Sequence, residues 1–399
     1  MGENNGVFER MLENSQRKLE VRPDLVPYPE AEWIAEVMRK EGHERIYLFY
    51  HPEVKLKTAI AIHNRAIAEQ ALGGIRMLQY RDEKEAITDV LRLSKAMTYK
   101  AAIAGIKKGG AKCVVWGNPR EDKTNFLLWE LAEEIEALRG EYIGGEDMNI
   151  DEQDVRLMRM KTSFVAGLPE TYRYGKLRGS GDPSPVTARG IVYGMKACLR
   201  FLNMGPLEGK TVAIQGLGKV GYRLAEFLYQ EGVKQIIGSD IDPRRIAHFQ
   251  EELKEKALGE FKKLSKVVAQ EEIFSQECDI FAPCAAGGIL TKQTVSNLRC
   301  RIVAGAANNQ LQDSVAGKLL MKKGILYAPD YVINAGGLIN VDDERHPDGY
   351  SEVRVQEKLE SIFPNLMKVF WYSKRLNLPT NIVADMLAEE KIYLAQILR

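Results

Sequence analysis

The stretch Gly209-Lys-Thr-Val-Ala-Ile-Gln-Gly-Leu-Gly-Lys-Val-Gly-Tyr222, carried on to Ser239-Asp-Ile-Asp-Pro-Arg-Arg245, decides the fold of this chain. A short apolar strand, Val212 to Gln215, runs straight into Gly216, Gly218 and Gly221, which have G-x-G-x-x-G spacing. Tyr222 to Glu231 then alternate apolar and polar at helical period, and a second apolar run, Ile236 to Ser239, ends at Asp240. The glycine spacing alone is a weak signal. Preceded by a strand, followed by a helix and completed by an acid at the end of the next strand, it reads as a dinucleotide-binding unit. Gly216 permits the tight turn, Gly218 lets backbone approach a pyrophosphate, and Gly221 lets helix pack close on strand. The helix N-terminus then offers free N–H groups and partial positive charge to phosphates. Asp240 is placed to accept hydrogen bonds from adenosine ribose hydroxyls. A glycine loop that serves structure alone is the competing reading.

At 399 residues the chain exceeds one ordinary core, so two domains are expected. Lys and Arg number 56 against 55 Asp and Glu, a balance that points away from nucleic acid and from membrane surfaces. No run approaches the roughly 18 apolar residues needed to span a bilayer. The start, Met-Gly-Glu-Asn-Asn-Gly, has neither the basic flank nor the apolar core of a secretion signal, and Gly6 stands where myristoylation wants Ser or Thr. The 5 cysteines are odd in number, scattered and mostly in apolar runs, which fits reduced thiols in the cytoplasm better than disulfides or zinc. The 5 histidines form no metal-binding pattern, so no metal is expected.

Residues 1–42 are charged, broken by Pro23, Pro27 and Pro29, and read as an N-terminal extension. Strand-like runs follow at Ile46–Tyr50 and Thr58–His63, a helical pattern over 83–99 with Ile87, Val90 and Leu91 on one face, and a buried strand at Cys113–Trp116. Polar, glycine-rich chain around 167–185 marks the domain boundary. Strands and helices then alternate to about residue 340, predicting a mainly parallel sheet. Beyond Glu344 the pattern is helical, with Val355, Leu359, Ile362, Leu366 and Val369 on one face. The fold class is α/β in two domains.

Two lysines keep apolar, glycine-rich company: Lys100 after Met97-Thr-Tyr, and Lys112 after Gly109-Gly-Ala. A lysine at the edge of a buried strand either snorkels to water or has its pKa depressed by desolvation, and the second case makes a base usable near neutral pH. Asp147, in Gly145-Glu-Asp-Met, lies just past another apolar run and is by itself as readily a cap or turn residue as an acid catalyst.

These blocks, in order, resemble the amino-acid dehydrogenase superfamily of glutamate, leucine, phenylalanine and valine dehydrogenases, and most of all its leucine/phenylalanine/tryptophan branch. The likeness is carried by Ala59–His63, Ala71–Met77, Leu91–Lys100, Gly109–Lys112, Gly145–Met148, Pro183–Ala188, the glycine loop, Asp279–Gly288, Ala304–Leu311 and Ala328–Gly337. It spans roughly residues 43–395. It implies a substrate and dimerisation domain over 43–178, an NAD-binding Rossmann domain over 179–345, and helices over 346–399 that bridge back to the first domain. It implies the oxidative deamination of an apolar L-amino acid to the 2-oxo acid and ammonia, with NAD as cofactor, no metal, and a homo-oligomer. Lys100 would hold the substrate α-carboxylate. Lys112 would act as a neutral amine that activates the attacking water, and Asp147 would exchange protons with the substrate amino group. Leu72 and Gly73 would meet the substrate side chain. Gly216, Leu217, Gly218, Lys219, Val220, Gly221 and Tyr222 would hold the pyrophosphate, and Thr187 and Asn334 the nicotinamide end.

Three departures stand out. Ala111 replaces the third glycine usual before the catalytic lysine, and its methyl is expected to narrow that loop. Asn149-Ile150-Asp151 replaces the leucine branch's Gly-Thr-Thr and looks more like the tryptophan branch, which bears on the side-chain pocket. Residues 1–42 and Pro169–Gly181 are longer than the family core and are candidates for subunit contacts. Two rivals remain: a glutamate dehydrogenase, disfavoured because Leu72 stands where that branch has the lysine for the distal carboxylate, and an inactive dinucleotide sensor, disfavoured because Lys100, Lys112 and Asp147 are all present.

Overall fold

The computed structural model describes residues 6–175, 177–256 and 265–398. The chain divides into two compact units, one of Met1–Asp182, Val341–Tyr350 and Glu390–Arg399, the other of Pro183–Asn340 and Ser351–Glu389.

The first unit is built on six strands: β1 (Lys18–Val21), β2 (Arg45–His51), β3 (Leu56–Asn64), β4 (Ala71–Leu78), β5 (Gly109–Trp116) and β6 (Tyr142–Gly145). Their order is β1-β2-β3-β5-β4-β6. β1, β2, β3 and β5 pair antiparallel in succession, and β4 lies parallel to both β5 and β6. Side chains alternate across such a sheet, and the two faces feed separate cores. Ile60, Ile75, Met77, Ala111, Cys113 and Val115 pack with Leu127, Leu131 and Ile135. Ile46, Leu48, Ala59, Ala61 and Val114 pack with Ile34, Met38, Ile87, Val90 and Leu91. The second set of helical residues comes from α2 (Glu32–Glu41) and α3 (Glu83–Ala104), which follow α1 (Val7–Glu13).

Residues 6–42, which read as an extension, are part of this unit. Their prolines mask a four-residue strand in which Leu19 and Val21 are buried and Lys18 and Glu20 are not, and this strand pairs antiparallel with β2 from Lys18↔Phe49 to Val21↔Ile46. The first turn of α1 is held by Glu83, whose carboxylate accepts from Val7 N at 2.9 Å and Phe8 N at 3.0 Å.

After a two-strand ribbon, β7 (Arg173–Tyr174) and β8 (Leu177–Arg178), the second unit carries β9 (Thr211–Gln215), β10 (Gln235–Ser239), β11 (Ser265–Val267), β12 (Ile280–Pro283), β13 (Ile302–Val303) and β14 (Leu326–Tyr327). The order is β11-β10-β9-β12-β13-β14, all parallel. Counted within the unit this is 3-2-1-4-5-6, the doubly wound order whose switch point, here between β9 and β12, is where dinucleotides bind.

The C-terminal helices, expected to return as a block to the first unit, divide. Helices Glu352–Glu360 and Ile362–Leu376 stay with the second unit, and only residues from Glu390 onward join the first. The reason lies in the helix Ser184–Phe201. Bare backbone at Gly190 and Gly194 lets Leu359, Ile362 and Leu366 approach so closely that a Cβ at either glycine would lie within 3.1 Å of them. The chain passes between units at four places, after Asp182, Asn340, Tyr350 and Glu389, and within the first unit Glu344 ties the Val341–Tyr350 segment to the chain just before Asp182. Its Oε2 accepts from the N–H groups of Gly167 and Leu168, each at 3.1 Å, and from the Ser180 N–H at 3.0 Å and hydroxyl at 2.9 Å.

Candidate active site

Lys112 sits at the fourth position of β5, whose glycines let other backbone come close. A Cβ on Gly110 would lie 2.0 Å from Thr98 N of α3, and one on Gly109 would lie 2.4 Å from Asn64 O. Alternation turns Lys112 away from the core that takes Ala111 and Cys113. The methyl of Ala111 therefore enters the opposite core and does not narrow the catalytic loop, which corrects the expectation drawn from its sequence position. Lys112 is 5% exposed, and its ammonium Nζ lies 2.8 Å from Asp147 Oδ2.

β4 supplies the facing residues. The register Leu72↔Gly110 and Ile75↔Cys113 puts Gly74 opposite Lys112, so Leu72, Gly74 and Arg76 share its face. Gly74 is required here: a Cβ would lie 2.8 Å from Asp147 Cβ and 2.9 Å from Lys112 Nζ. Leu72 is buried one pleat along from the lysine. Gly73 points to the other face, where its would-be Cβ meets Ala111 O at 1.7 Å, and its own carbonyl accepts from Tyr142 Oη at 2.8 Å.

Arg76 is the residue that reading the sequence missed. Its Nε donates to the same Asp147 Oδ2 at 2.7 Å, and its Nη1 reaches Asp89 Oδ2 at 3.3 Å, which also accepts from Tyr80 Oη at 2.9 Å. Burial pushes the Asp147 carboxyl up, but the two cations Lys112 and Arg76 outweigh it and hold the group down at about 2. The available signal was an arginine at a core-facing strand position between Ile75 and Met77, where a guanidinium is rarely left without a carboxylate.

The turn that carries Asp147 is fixed by the residues that depart from the leucine branch. Asp147 and Ile150 exchange both backbone hydrogen bonds, at 3.2 and 3.0 Å. Asn149 adopts a left-handed φ of 63°, which asparagine tolerates, and its amide donates to Met77 O at 2.9 Å. Ile150 is buried in the core and Asp151 caps the next helix, Glu152–Met158. These three residues shape the turn and the core beneath it. Lys100 lies half-buried two residues beyond Thr98 on α3.

In the second unit the glycine loop follows β9. Gly216 has φ 98° and donates to Ser239 O at 2.7 Å. A Cβ on Gly221 would lie 1.9 Å from Gly216 O, so the helix Lys219–Gln230 can approach only with glycine there. Gly218 is open: its Cβ would meet Arg245 alone, at 3.7 Å. As N-cap of that helix, Gly218 offers no side-chain acceptor, so the first-turn N–H groups at Lys219 and Val220 are left to a ligand. Leu217 and Tyr222 are buried, Leu217 beneath Gly238 and Tyr222 with its ring 5.0 Å from that of His248. Asp240 accepts from Leu217 N at 2.7 Å through Oδ2 and from Asp242 N at 2.9 Å through Oδ1, and Arg245 Nη1 stands 3.6 Å from Oδ2.

Asn334 is buried, and its amide nitrogen donates to Ala306 O at 2.9 Å and Asn308 Oδ1 at 2.8 Å, while its Oδ1 has no hydrogen-bond partner among the described residues. An orphaned buried acceptor calls for a donor, and a nicotinamide carboxamide supplies one. The Thr187 hydroxyl donates to Pro183 O at 2.9 Å, and Gly337 next to it has no room for a Cβ, which would lie 2.9 Å from Thr187 Oγ1. The glycine cradle, Asp240 and Asn334 all fit a nicotinamide dinucleotide.

Among the described residues one group, His51 with Glu130 and Glu134, gathers three possible metal ligands. Both ring nitrogens face carboxylates, Nε2 at 2.8 Å from Glu134 and Nδ1 at 3.1 Å from Glu130, and the group shares no residue with either cluster above.

A doubly wound dinucleotide unit, and a separate unit that buries a lysine against an aspartate, are the parts of a dinucleotide-dependent oxidoreductase. Comparison with known proteins narrows this. Residues 43–164 match the Glu/Leu/Phe/Val dehydrogenase dimerisation domain, and residues 179–397 match the Glutamate/Leucine/Phenylalanine/Valine dehydrogenase family. The chain is 42% identical to the leucine dehydrogenase of Thermoactinomyces intermedius over 360 residues, 90% of this chain and 93% of that enzyme. It is 41% identical to the phenylalanine dehydrogenase of Caldalkalibacillus thermarum over 351 residues, 88% of this chain and 91% of that one. The crystal structure of L-tryptophan dehydrogenase from Nostoc punctiforme superposes with a TM-score of 0.75 at 38% identity, covering 91% of this chain and 99% of that one. The chain belongs to the Glu/Leu/Phe/Val dehydrogenase family.

Proposed function

We propose that this protein is an NAD-dependent L-amino-acid dehydrogenase that reversibly converts apolar amino acids to their 2-oxo acids and ammonia. The observation that carries the reading is the pairing of Lys112 Nζ with Asp147 Oδ2 at 2.8 Å on the sheet face that also bears Leu72. Bound NAD supplies the acceptor for the hydride that leaves the substrate α-carbon. Lys100 holds the α-carboxylate as a point charge. Both cations converge on Asp147 Oδ2, which leaves Oδ1 to exchange a proton with the substrate amine. Lys112, after giving its proton up to solvent in the substrate complex, takes a proton as the neutral amine from the water that attacks the iminium, and the resulting carbinolamine collapses to oxo acid and ammonia. No cation stands at Leu72 for a distal carboxylate, which disfavours a glutamate dehydrogenase, and the intact Lys112–Asp147 pair disfavours a sensor without turnover. Self-association as a homo-oligomer is supported by the match to a dimerisation domain. A cytoplasmic location is supported by five free cysteines. Among the described residues no helix is long and apolar enough to cross a membrane.

Arg76 is assigned the task of keeping Asp147 ionised. Arg76→Gln removes one of its two cations, so the carboxyl titrates at higher pH and activity is lost sooner on acidification. The acid limb of the kcat/KM profile is expected to move up by about 1–2 pH units, with circular dichroism confirming the fold. An unmoved limb in a folded variant removes Arg76 from this role.

The choice of NAD over its 2′-phosphorylated form rests on Asp240. Each of its oxygens keeps a lone pair for a ribose hydroxyl after serving the backbone, while a 2′-phosphate would meet the carboxylate directly. Arg245 is already engaged by that carboxylate. Measured kcat/KM should favour NAD, and Asp240→Ser should shift preference toward the phosphorylated form by freeing Arg245. Wild-type preference for the phosphorylated cofactor would show that Arg244 and Arg245 outweigh Asp240.

A further inference from the structure

Two of the five free cysteines meet each other. Cys278 lies just before β12 and Cys300 just before β13. The preceding residues, Glu277 and Arg299, form a parallel bridge, and beyond them Ile280 pairs with Ile302, so Cys278 and Cys300 stand in register on neighbouring strands. The backbone fixes them there: Cys278 N donates to Arg299 O at 3.2 Å, and Arg301 N donates to Asp279 O at 3.2 Å. In-register neighbours in a parallel sheet point to the same face with backbones about 4.8 Å apart, inside the Cα span of roughly 4.4–6.8 Å that a disulfide bridges. Both side chains join the same hydrophobic cluster. Cys278 is half-buried and Cys300 is 8% exposed, so a small oxidant reaches the pair from the Cys278 side.

The two thiols differ in character. The contact with Cys278, with backbone donors from Phe281 and Ile302 and the charge of Lys323, lowers the Cys300 thiol despite its burial. The same contact, with burial, raises Cys278. Burial alone pushes Cys113 and Cys284 up to about 12 and raises Cys198 as well. A thiol made more acidic beside a second thiol able to resolve it is the arrangement oxidation selects.

We propose that Cys278 and Cys300 are a redox modification site, closed to an intramolecular disulfide by peroxide-class oxidants and reopened by dithiols. Cys300 Sγ, its proton passed to water, attacks one peroxide oxygen, the O–O bond breaks, and Cys300 becomes a sulfenic acid while the other oxygen leaves as hydroxide and regains that one proton as water. The Cys278 sulfur then attacks Cys300 Sγ, its proton leaves with the hydroxyl as a second water, and the S–S bond forms. The staple ties β12 to β13 at their N-terminal ends, whereas the glycine loop and Asp240 stand at the C-terminal ends of β9 and β10. Oxidation therefore stiffens the dinucleotide unit without occupying its ligand site.

The test uses reduced full-length protein treated with hydrogen peroxide, then alkylated and mapped by mass spectrometry without reduction. The expected result is a Cys278–Cys300 linked peptide that dithiothreitol abolishes, with Cys113, Cys198 and Cys284 still alkylated. The oxidised protein should melt several degrees higher than the reduced one, as loop closure implies. Cys278→Ser should lose this rise and accumulate a Cys300 sulfenic acid that dimedone traps; Cys300→Ser should lose the rise with no dimedone label at Cys278. Recovery of both thiols as alkylated peptides after peroxide, or linkage of either to another cysteine or another chain, overturns the proposal.

Discussion

Lys112→Ala is expected to lower kcat by about 10²–10⁴-fold, the usual share of a positioned acid–base group, and to leave the fold and dinucleotide binding intact. Removing one partner of a buried ion pair ordinarily costs about 3–5 kcal/mol because the other charge is stranded. Here Asp147 keeps Arg76 at 2.7 Å on the same oxygen, so the stranding is partial and the protein should still fold. Thermal melting and fluorescence of bound reduced cofactor report on those two properties separately from turnover. Lys100→Ala should behave differently, raising KM most, since a carboxylate is present from substrate to product and its binding is uniform along the reaction. A Lys112→Ala enzyme with more than about a tenth of wild-type kcat would remove this residue from the mechanism.

The second large effect concerns Leu72. Wild-type protein should turn over L-glutamate about 10²–10⁴-fold less efficiently than its best apolar substrate, the rate equivalent of roughly 3–5 kcal/mol for burying an unpaired carboxylate. Leu72→Lys should close most of that gap by supplying the missing cation. It should also weaken apolar turnover, because an ammonium would then sit buried beside an uncharged side chain. The measurement is the ratio of kcat/KM for leucine or phenylalanine to that for glutamate in both proteins. An unchanged ratio would mean that Leu72 does not face the substrate side chain. Branched-chain and aromatic substrates are not separated by this argument, since one methylene shifts preference by only about 1–3 kcal/mol.

Local patterns and long-range ones were not equally legible. The dinucleotide unit could be read because strand, glycine spacing, helix and terminal acid all lie between Gly209 and Asp240, and Gly216 and Gly221 each have a local backbone reason. Strand β4 was harder, since Gly73 and Gly74 dilute its β propensity. Those glycines are strand residues all the same, because β5 and Asp147 crowd them on opposite faces. The methyl of Ala111 was misdirected in the sequence reading, because the face it occupies follows from where β5 starts, and Gly109 and Gly110 disguise that start. Arg76 was harder to read for a different reason: its place between Ile75 and Met77 signals a paired arginine, but its partner Asp147 is 71 residues away, and nothing local names that partner. The C-terminal helical face from Val355 to Val369 was legible as a face, but its partner, the helix with Gly190 and Gly194, is set by tertiary packing.

The most direct test of the whole account is reduction of NAD by the purified protein, followed by absorbance, across a panel of L-amino acids. The account predicts steady turnover with at least one branched-chain or aromatic L-amino acid, the release of ammonia in equal amount, and only trace activity with L-glutamate. No NAD reduction with any apolar amino acid, or glutamate used as well as the best of them, would contradict it.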